Sequence, residues 1–198
     1  MLYVHGKGGK AQEADAYKKM FPMYDVYGLD YKTWTPWQTK EEFSTFCKVL
    51  EENYEKIILI AGSIGAFFSM NSGMEAIFKN KLEKAFFISP IVDMEKLISD
   101  MMHWANVSEQ RLIEEQNIPT DFGETLSWDY LTYVRNNPIT WKTKTYVLYG
   151  DKDNLTSQET IEKFVRNHNG HLTVMKNGEH WFHTAEQVDF LNVWLKSL

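Results

Sequence analysis

One cysteine in a chain of 198 residues leaves Cys47 without an internal disulfide partner and excludes a cysteine-built zinc site. Within the helical-looking stretch TKEEFSTFCKVLEENYEK, a small buried thiol is the expected role for it. A basic block is also missing. The 21 Lys and Arg are outnumbered by 27 Asp and Glu, for a formal charge of -6, and none of the cations cluster as a phosphate backbone requires. Nucleic acid is therefore not an expected partner. Long apolar runs are absent too. The stretch around 57–61 is far too short to span a bilayer, and MLYVHGK carries no apolar core of a secretory leader, so a reduced, cytoplasmic setting without membrane association is expected. What the chain does have is aromatic: 12 Phe, 10 Tyr and 7 Trp, enough to rule out a wholly disordered polymer and to fill the core of one domain.

Short apolar or β-branched runs alternate with longer segments of helical period. LYVH (2–5), YDVYGL (24–29), KIILIA (56–61), KAFFIS (84–89), TYVLYG (145–150) and HLTVMK (171–176) read as strands. Helices are expected over about 10–20, 39–55, 64–78, 157–168 and 184–197. The alternation predicts an α/β fold, a single domain over 1–198 with a mainly parallel six-stranded sheet flanked by helices. Between the fourth and fifth strands, 90–144 carries no strand signal. It is expected to form a helical cap or lid insertion over 91–143, with Leu97, Met101 and Trp104 on one helix face.

The loop after the first strand, HGKGGKA, fits two templates. As G-x-G-x-x-A it is a dinucleotide fingerprint, with Asp30 near the spacing of a ribose-binding acid. As strand-H-G-x-G-G it supplies a backbone N–H to an oxyanion. The third strand runs into AGSIGAFF, setting Ser63 at a strand-to-helix turn between Gly62 and Gly65, with the Ile64 N–H at the start of the next helix. Such a serine is a nucleophile only if a base takes its proton and an acid orients that base; the competing reading is an ordinary helix cap. Asp151 and Asp153 follow the fifth strand, and His180 and His183 follow the sixth. Ser, Asp and His thus stand in that order, each at the end of its own expected strand. Neither His168/His171 nor His180/His183 has the spacing of a helical metal site, and no metal or cofactor is expected.

Together HGKGG, AGSIG, YGDKDNLT and NGEHWFH resemble the oxyanion loop, nucleophile elbow, acid loop and histidine loop of the α/β-hydrolase family, over nearly the whole chain. Ala61 stands where the elbow pattern usually has glycine. The resemblance implies Ser63 as nucleophile, His180 as general base and Asp153 as acid; Asp151 is second choice for the acid, its position after Gly150 suiting it to cap the loop, and His183 is second choice for the base. It also implies that the backbone N–H groups of Lys7 and Ile64 form the oxyanion hole, while His5 bonds loop backbone. Trp34, Trp37, Met101, Met102, Trp104 and Trp181, with Phe182 beside the histidine, are candidates for an apolar pocket. The implied activity is cofactor-free serine hydrolysis of a small apolar carboxylic ester. Thioesters, lactones and amide or peptide bonds are alternative substrates, and a non-catalytic or nucleotide-binding α/β protein is the alternative of another class.

Overall fold

The computed structural model describes residues 1–197 and divides the chain into two compact units, one of Met1–Val92 with the chain from Thr140 on, the other Asp93–Ile139. The first holds β1 (Leu2–Val4), α1 (Ala14–Met20), β2 (Tyr27–Gly28), α2 (Pro36–Asn53), β3 (Ile57–Gly62), α3 (Ile64–Asn71), α4 (Met74–Phe78) and β4 (Leu82–Ile88). After the second unit it resumes with β7 (Thr145–Gly150), α8 (Gln158–Asn167), β8 (Gly170–Met175) and α9 (Ala185–Lys196). The second unit holds α5 (Met94–Trp104), α6 (Glu109–Glu115), β5 (Asn117–Pro119), β6 (Thr125–Ser127) and α7 (Trp128–Asn136).

The six long-range strands form one sheet in the order β2-β1-β3-β4-β7-β8, every neighbouring pair parallel. The near-continuous apolar runs are explained by burial on both faces. Tyr3, Ile58, Ile60, Phe86 and Leu148 join Tyr17, Trp194 and Leu195 of α1 and α9 in one cluster. The alternate residues Leu2, Val4, Leu59, Ala61, Ala85, Phe87 and Val147 are fully buried on the other face. Each large apolar side chain so buried contributes about 1.5–3 kcal/mol.

The helices follow equally local rules. α2 starts at Pro36, whose fixed φ and missing N–H suit the first helical position, and buries Pro36, Thr39, Phe43, Cys47 and Leu50 at helical spacing. Ser157 and Thr184 cap α8 and α9 by accepting the Thr160 and Gln187 N–H groups. The helix expected over 64–78 is broken into α3 and α4 at Gly73, which adopts φ 79.

Within 90–144 the expectation of a strand-free helical insertion needs correction. β5 and β6 form an antiparallel hairpin that pairs the buried Ile118 with Leu126, closed by Thr120 and by Gly123 at φ 84. Strands of three residues carry one inward side chain each, too few to produce an alternation signal. Arg135 of α7 ties this unit together, donating from Nη1 and Nη2 to both oxygens of Glu109 (2.7 and 2.8 Å) and from Nε to Glu95 (2.8 Å).

Candidate active site

Strand order reverses between β1 and β3, because the chain runs outward from β1 to β2 before returning to the other side. The crevice at the carboxyl ends of these two strands is where open parallel sheets bind ligands. HGKGG leaves β1 there, and Ser63 leaves β3. Gly6 sits over Ser63: a Cβ built on it would stand 3.1 Å from the Ser63 Cβ.

Ser63 has φ 49 and ψ -125, a conformation that costs a non-glycine residue about 1–3 kcal/mol. Three backbone hydrogen bonds hold it there. Its N–H donates to Ile88 O at the end of β4 (2.9 Å), and its carbonyl accepts the Ile91 and Ala66 N–H groups, both at 3.1 Å. The turn also requires Gly65, where a Cβ would overlap the His5 carbonyl oxygen and lie 2.8 Å from that of Val4. The result lifts the Ser63 hydroxyl to the sheet edge and starts α3 at Ile64, whose N–H is among those a helix end leaves without an intrahelical acceptor.

The Ser63 hydroxyl lies 2.8 Å from His180 Nε2, and His180 Nδ1 lies 2.7 Å from Asp153 Oδ2. The side chain of Asp153 is fully buried, and that of His180 is 15% exposed. Asp153 Oδ1 accepts the Leu155 and Thr156 N–H groups at 2.8 and 3.0 Å, so the carboxylate is surrounded by donors. A carboxylate facing Nδ1 can only accept, which places the imidazole proton on Nδ1 and leaves Nε2 bare to receive the Ser63 O–H. The acid loop and the histidine loop are knitted by backbone: Lys152 N–H donates to Gly178 O (2.8 Å) and Asp151 N–H to Met175 O (3.1 Å). That approach leaves no room for a side chain at Gly150, where a Cβ would collide with the Gly178 carbonyl.

The other titratable candidates are engaged elsewhere. Asp151 accepts the Asn177 N–H (2.7 Å), closing the turn before the histidine loop. His183 donates from Nδ1 to Trp181 O (2.6 Å) and stacks on the Trp181 ring. His168 donates from Nδ1 to Trp141 O (3.0 Å), and His171 stacks on Tyr146. Among the described residues no three or more His, Cys, Asp or Glu side chains form a metal-holding group.

The pocket candidates are divided between the two units. Trp34, 38% exposed, packs edge-on to His5 and Tyr31 and with them borders a cavity of about 370 Å³, whose rim adds Gly9, Lys10, Asp30 and Lys32. Trp37 lies half-buried in the first turn of α2, while Trp181 stands 74% exposed beside His183. Phe182 is drawn into the core cluster. Met101, Met102 and Trp104 belong to α5 of the second unit, where Met102 is buried and Trp104 is edge-on to Phe122.

Several supporting residues have no sequence signal of their own. Tyr149 donates its hydroxyl to Thr156 O (2.8 Å) beneath the turn that binds Asp153, and burial, with the charges of Asp153 and Asp151, pushes its phenol up to about 12. Glu13 accepts the Lys10 N–H (3.0 Å) and the hydroxyl of the buried Tyr3. A carboxylate therefore occupies the helix start after β1, the position where a dinucleotide fingerprint would hold pyrophosphate. Asp30, the would-be ribose ligand, pairs with Lys32 at 2.7 Å on the surface. Like-charge repulsion at that helix start disfavours the dinucleotide template.

Known structures share this architecture. Est1E from Butyrivibrio proteoclasticus superposes with a TM-score of 0.74 at 14% identity, over 99% of this chain and 84% of its own. Mouse alpha/beta hydrolase domain-containing protein 10 does so with 0.76 at 10% identity, over 99% and 87%. The Pyrococcus furiosus esterase Pf2001 gives 0.64 at 16%, over 99% and 79%. No protein-family model matches the chain, and no curated protein matches its sequence.

Proposed function

We propose that this chain, which has the α/β-hydrolase fold, is a serine hydrolase that cleaves a small apolar carboxylic ester. The observation that carries the reading is the unbroken hydrogen-bond chain Ser63 Oγ–His180–Asp153, with its serine in a left-handed conformation at the end of β3. Helix capping alone explains neither the histidine nor the buried acid behind it.

In the mechanism, His180 Nε2 takes the Ser63 proton as Oγ attacks the ester carbonyl. Asp153 holds the Nδ1–H tautomer and stabilises the imidazolium that forms. The tetrahedral oxyanion would receive the Ile64 N–H at the start of α3 and the Lys7 N–H of the loop over Ser63, each donor contributing about 3 kcal/mol in comparable sites. Protonated His180 then gives its proton to the leaving alcohol. It next activates a water that releases the acid and restores Ser63. Nothing in this sequence of steps calls for a cofactor.

The apolar character of the substrate follows from the family resemblance; of the aromatic pocket candidates, Trp34 opens on a cavity beside the oxyanion loop, where Lys10, Gln12, Asp30 and Lys32 also stand. Est1E, of the same fold, has been seen with ferulic acid bound, an aromatic carboxylic acid. The test is labelling with a fluorophosphonate probe together with hydrolysis of short p-nitrophenyl esters. Stoichiometric labelling and turnover, both lost in Ser63→Ala, are expected. A folded wild-type protein that neither labels nor turns over esters, thioesters, lactones or amides would refute the reading.

A further inference from the structure

Accepting the hydrolase reading, the role of His5 extends beyond filling space. Its ring, 3% exposed as a residue, donates from Nδ1 to the carbonyl oxygen of Gly6 at 2.9 Å. The same oxygen accepts the Gly9 N–H at 3.1 Å, closing a turn in which Gly8 has φ 78. Two donors therefore fix the direction of one carbonyl in a loop with glycine at 6, 8 and 9, where the backbone has little stiffness of its own.

The Gly6–Lys7 peptide is trans and planar, so its C=O and N–H point in opposite directions. Fixing the Gly6 carbonyl toward the imidazole and Gly9 fixes the Lys7 N–H on the opposite side. The imidazole is itself immobilised. It stacks on Tyr31 at 4.3 Å and 16°, and the Tyr31 hydroxyl donates to the His5 carbonyl at 2.6 Å. Tyr31 is buried and packed edge-on against Phe43 and Phe68.

We propose that His5, clamped by Tyr31, is a positioning residue for the oxyanion hole: through the Gly6 carbonyl it sets the orientation in which the Lys7 N–H meets the developing negative charge. His5 touches neither the substrate nor a reacting proton in this role. Catalysis depends on donors already aimed where charge develops, so a free-swinging Gly6–Lys7 peptide weakens the transition state more than the bound ester.

Three variants test this. His5→Phe keeps a ring against Tyr31 but removes the Nδ1–H donor. His5→Asn places an amide N–H near the Nδ1 position. Tyr31→Phe releases the His5 carbonyl while retaining the stack. Expected for His5→Phe is a kcat loss of about 10- to 100-fold, short of the roughly 10²–10³ for deleting an oxyanion donor outright. KM should change little, and affinity for a trifluoromethyl ketone, which forms an oxyanion adduct on Ser63, should fall by the same factor as kcat/KM. His5→Asn should recover most of the loss, and Tyr31→Phe should lie between. In ¹⁵N-labelled protein, the {¹H}–¹⁵N NOE of the Lys7 amide should drop in His5→Phe and recover in His5→Asn. A folded His5→Phe with unchanged kcat, ketone affinity and Lys7 NOE overturns the proposal, as does a loss that His5→Asn fails to restore. Failure of the hydrolase reading shows separately, as a wild-type Ser63 that does not label. That result removes the catalytic half of the proposal, while the NOE still decides whether His5 restrains the peptide.

Discussion

Replacing Asp153 by Asn changes one atom and should nearly abolish turnover. Asp153 Oδ1 accepts two backbone N–H groups, from Leu155 and Thr156, whereas Oδ2 accepts one imidazole N–H. An asparagine can keep only one oxygen. Turning its NH₂ toward the turn would set two backbone donors against a donor, at about 1–3 kcal/mol for each buried group left unpaired. The oxygen therefore stays on the turn and the NH₂ faces His180 Nδ1. Nδ1 must then accept, which moves the ring proton to Nε2, where it confronts the Ser63 hydroxyl instead of receiving its proton. Wrong-tautomer variants of such triads lose about 10⁴ in kcat, equivalent to about 5.5 kcal/mol of transition-state stabilisation. Asp151→Asn is the control. Its Oδ1 accepts the Asn177 N–H, a bond asparagine also makes, so kcat should stay within about threefold of wild type. The assay is kcat/KM on a short p-nitrophenyl ester, with the fluorophosphonate labelling rate and thermal unfolding of both variants. A folded Asp153→Asn enzyme within tenfold of wild type, or loss of turnover in Asp151→Asn alone, would refute the reasoning.

Other residues make separate commitments. Gly65→Ala would drive a methyl group into the His5 carbonyl and should destabilise the protein by about 3 kcal/mol or prevent folding, read by urea denaturation; an unchanged midpoint counts against the close approach of α3 and β1. The Arg135 hydrogen bond holds the Glu109 carboxyl below its usual range. Its contribution is thus full above the unfolded carboxylate value of about 4.3 and fades as pH falls through the lower folded value. Amide protection factors in α6 and α7, that is, exchange relative to its intrinsic rate at each pH, should fall over that acidic window in wild type, and an Arg135→Ala variant should lack that acid-dependent step. Burial pushes the Cys47 thiol up to about 12, so Ellman's reagent at pH 8 should leave native protein unmodified and react fully after unfolding in guanidinium; rapid native labelling would contradict the packing of α2.

Much of the architecture was legible because it is local. A strand buried on both faces reads as an uninterrupted apolar run, as IILIA and AFFI do, and a capped helix with a spaced apolar face reads from its period. The hairpin of the second unit was not legible, since β5 and β6 each bury a single side chain and draw the rest of their order from pairing across a turn. The Glu13 contact to Tyr3 was equally hidden, because it joins the start of a helix to a strand ten residues back.

The candidate site divides along the same line. Ser63, the Asp151/Asp153 pair and the His180/His183 pair were marked by their order, each after a strand of its own, and a parallel sheet delivers all such ends to one edge. Side-chain direction decided what order could not. Asp153 turns inward onto donors and Asp151 caps a neighbouring turn, while His180 reaches Ser63 and His183 bonds its own loop. In HGKGG the glycines suit an oxyanion or a phosphate equally, and what the structure adds is the Glu13 carboxylate at the helix start that follows. By itself the sequence determined the strands, the helices and a short list of reactive side chains, since each follows from neighbours within a few residues. Which of them converge depended on hydrogen bonds between loops far apart in the chain, and those directions exist only once the sheet has brought the loops together.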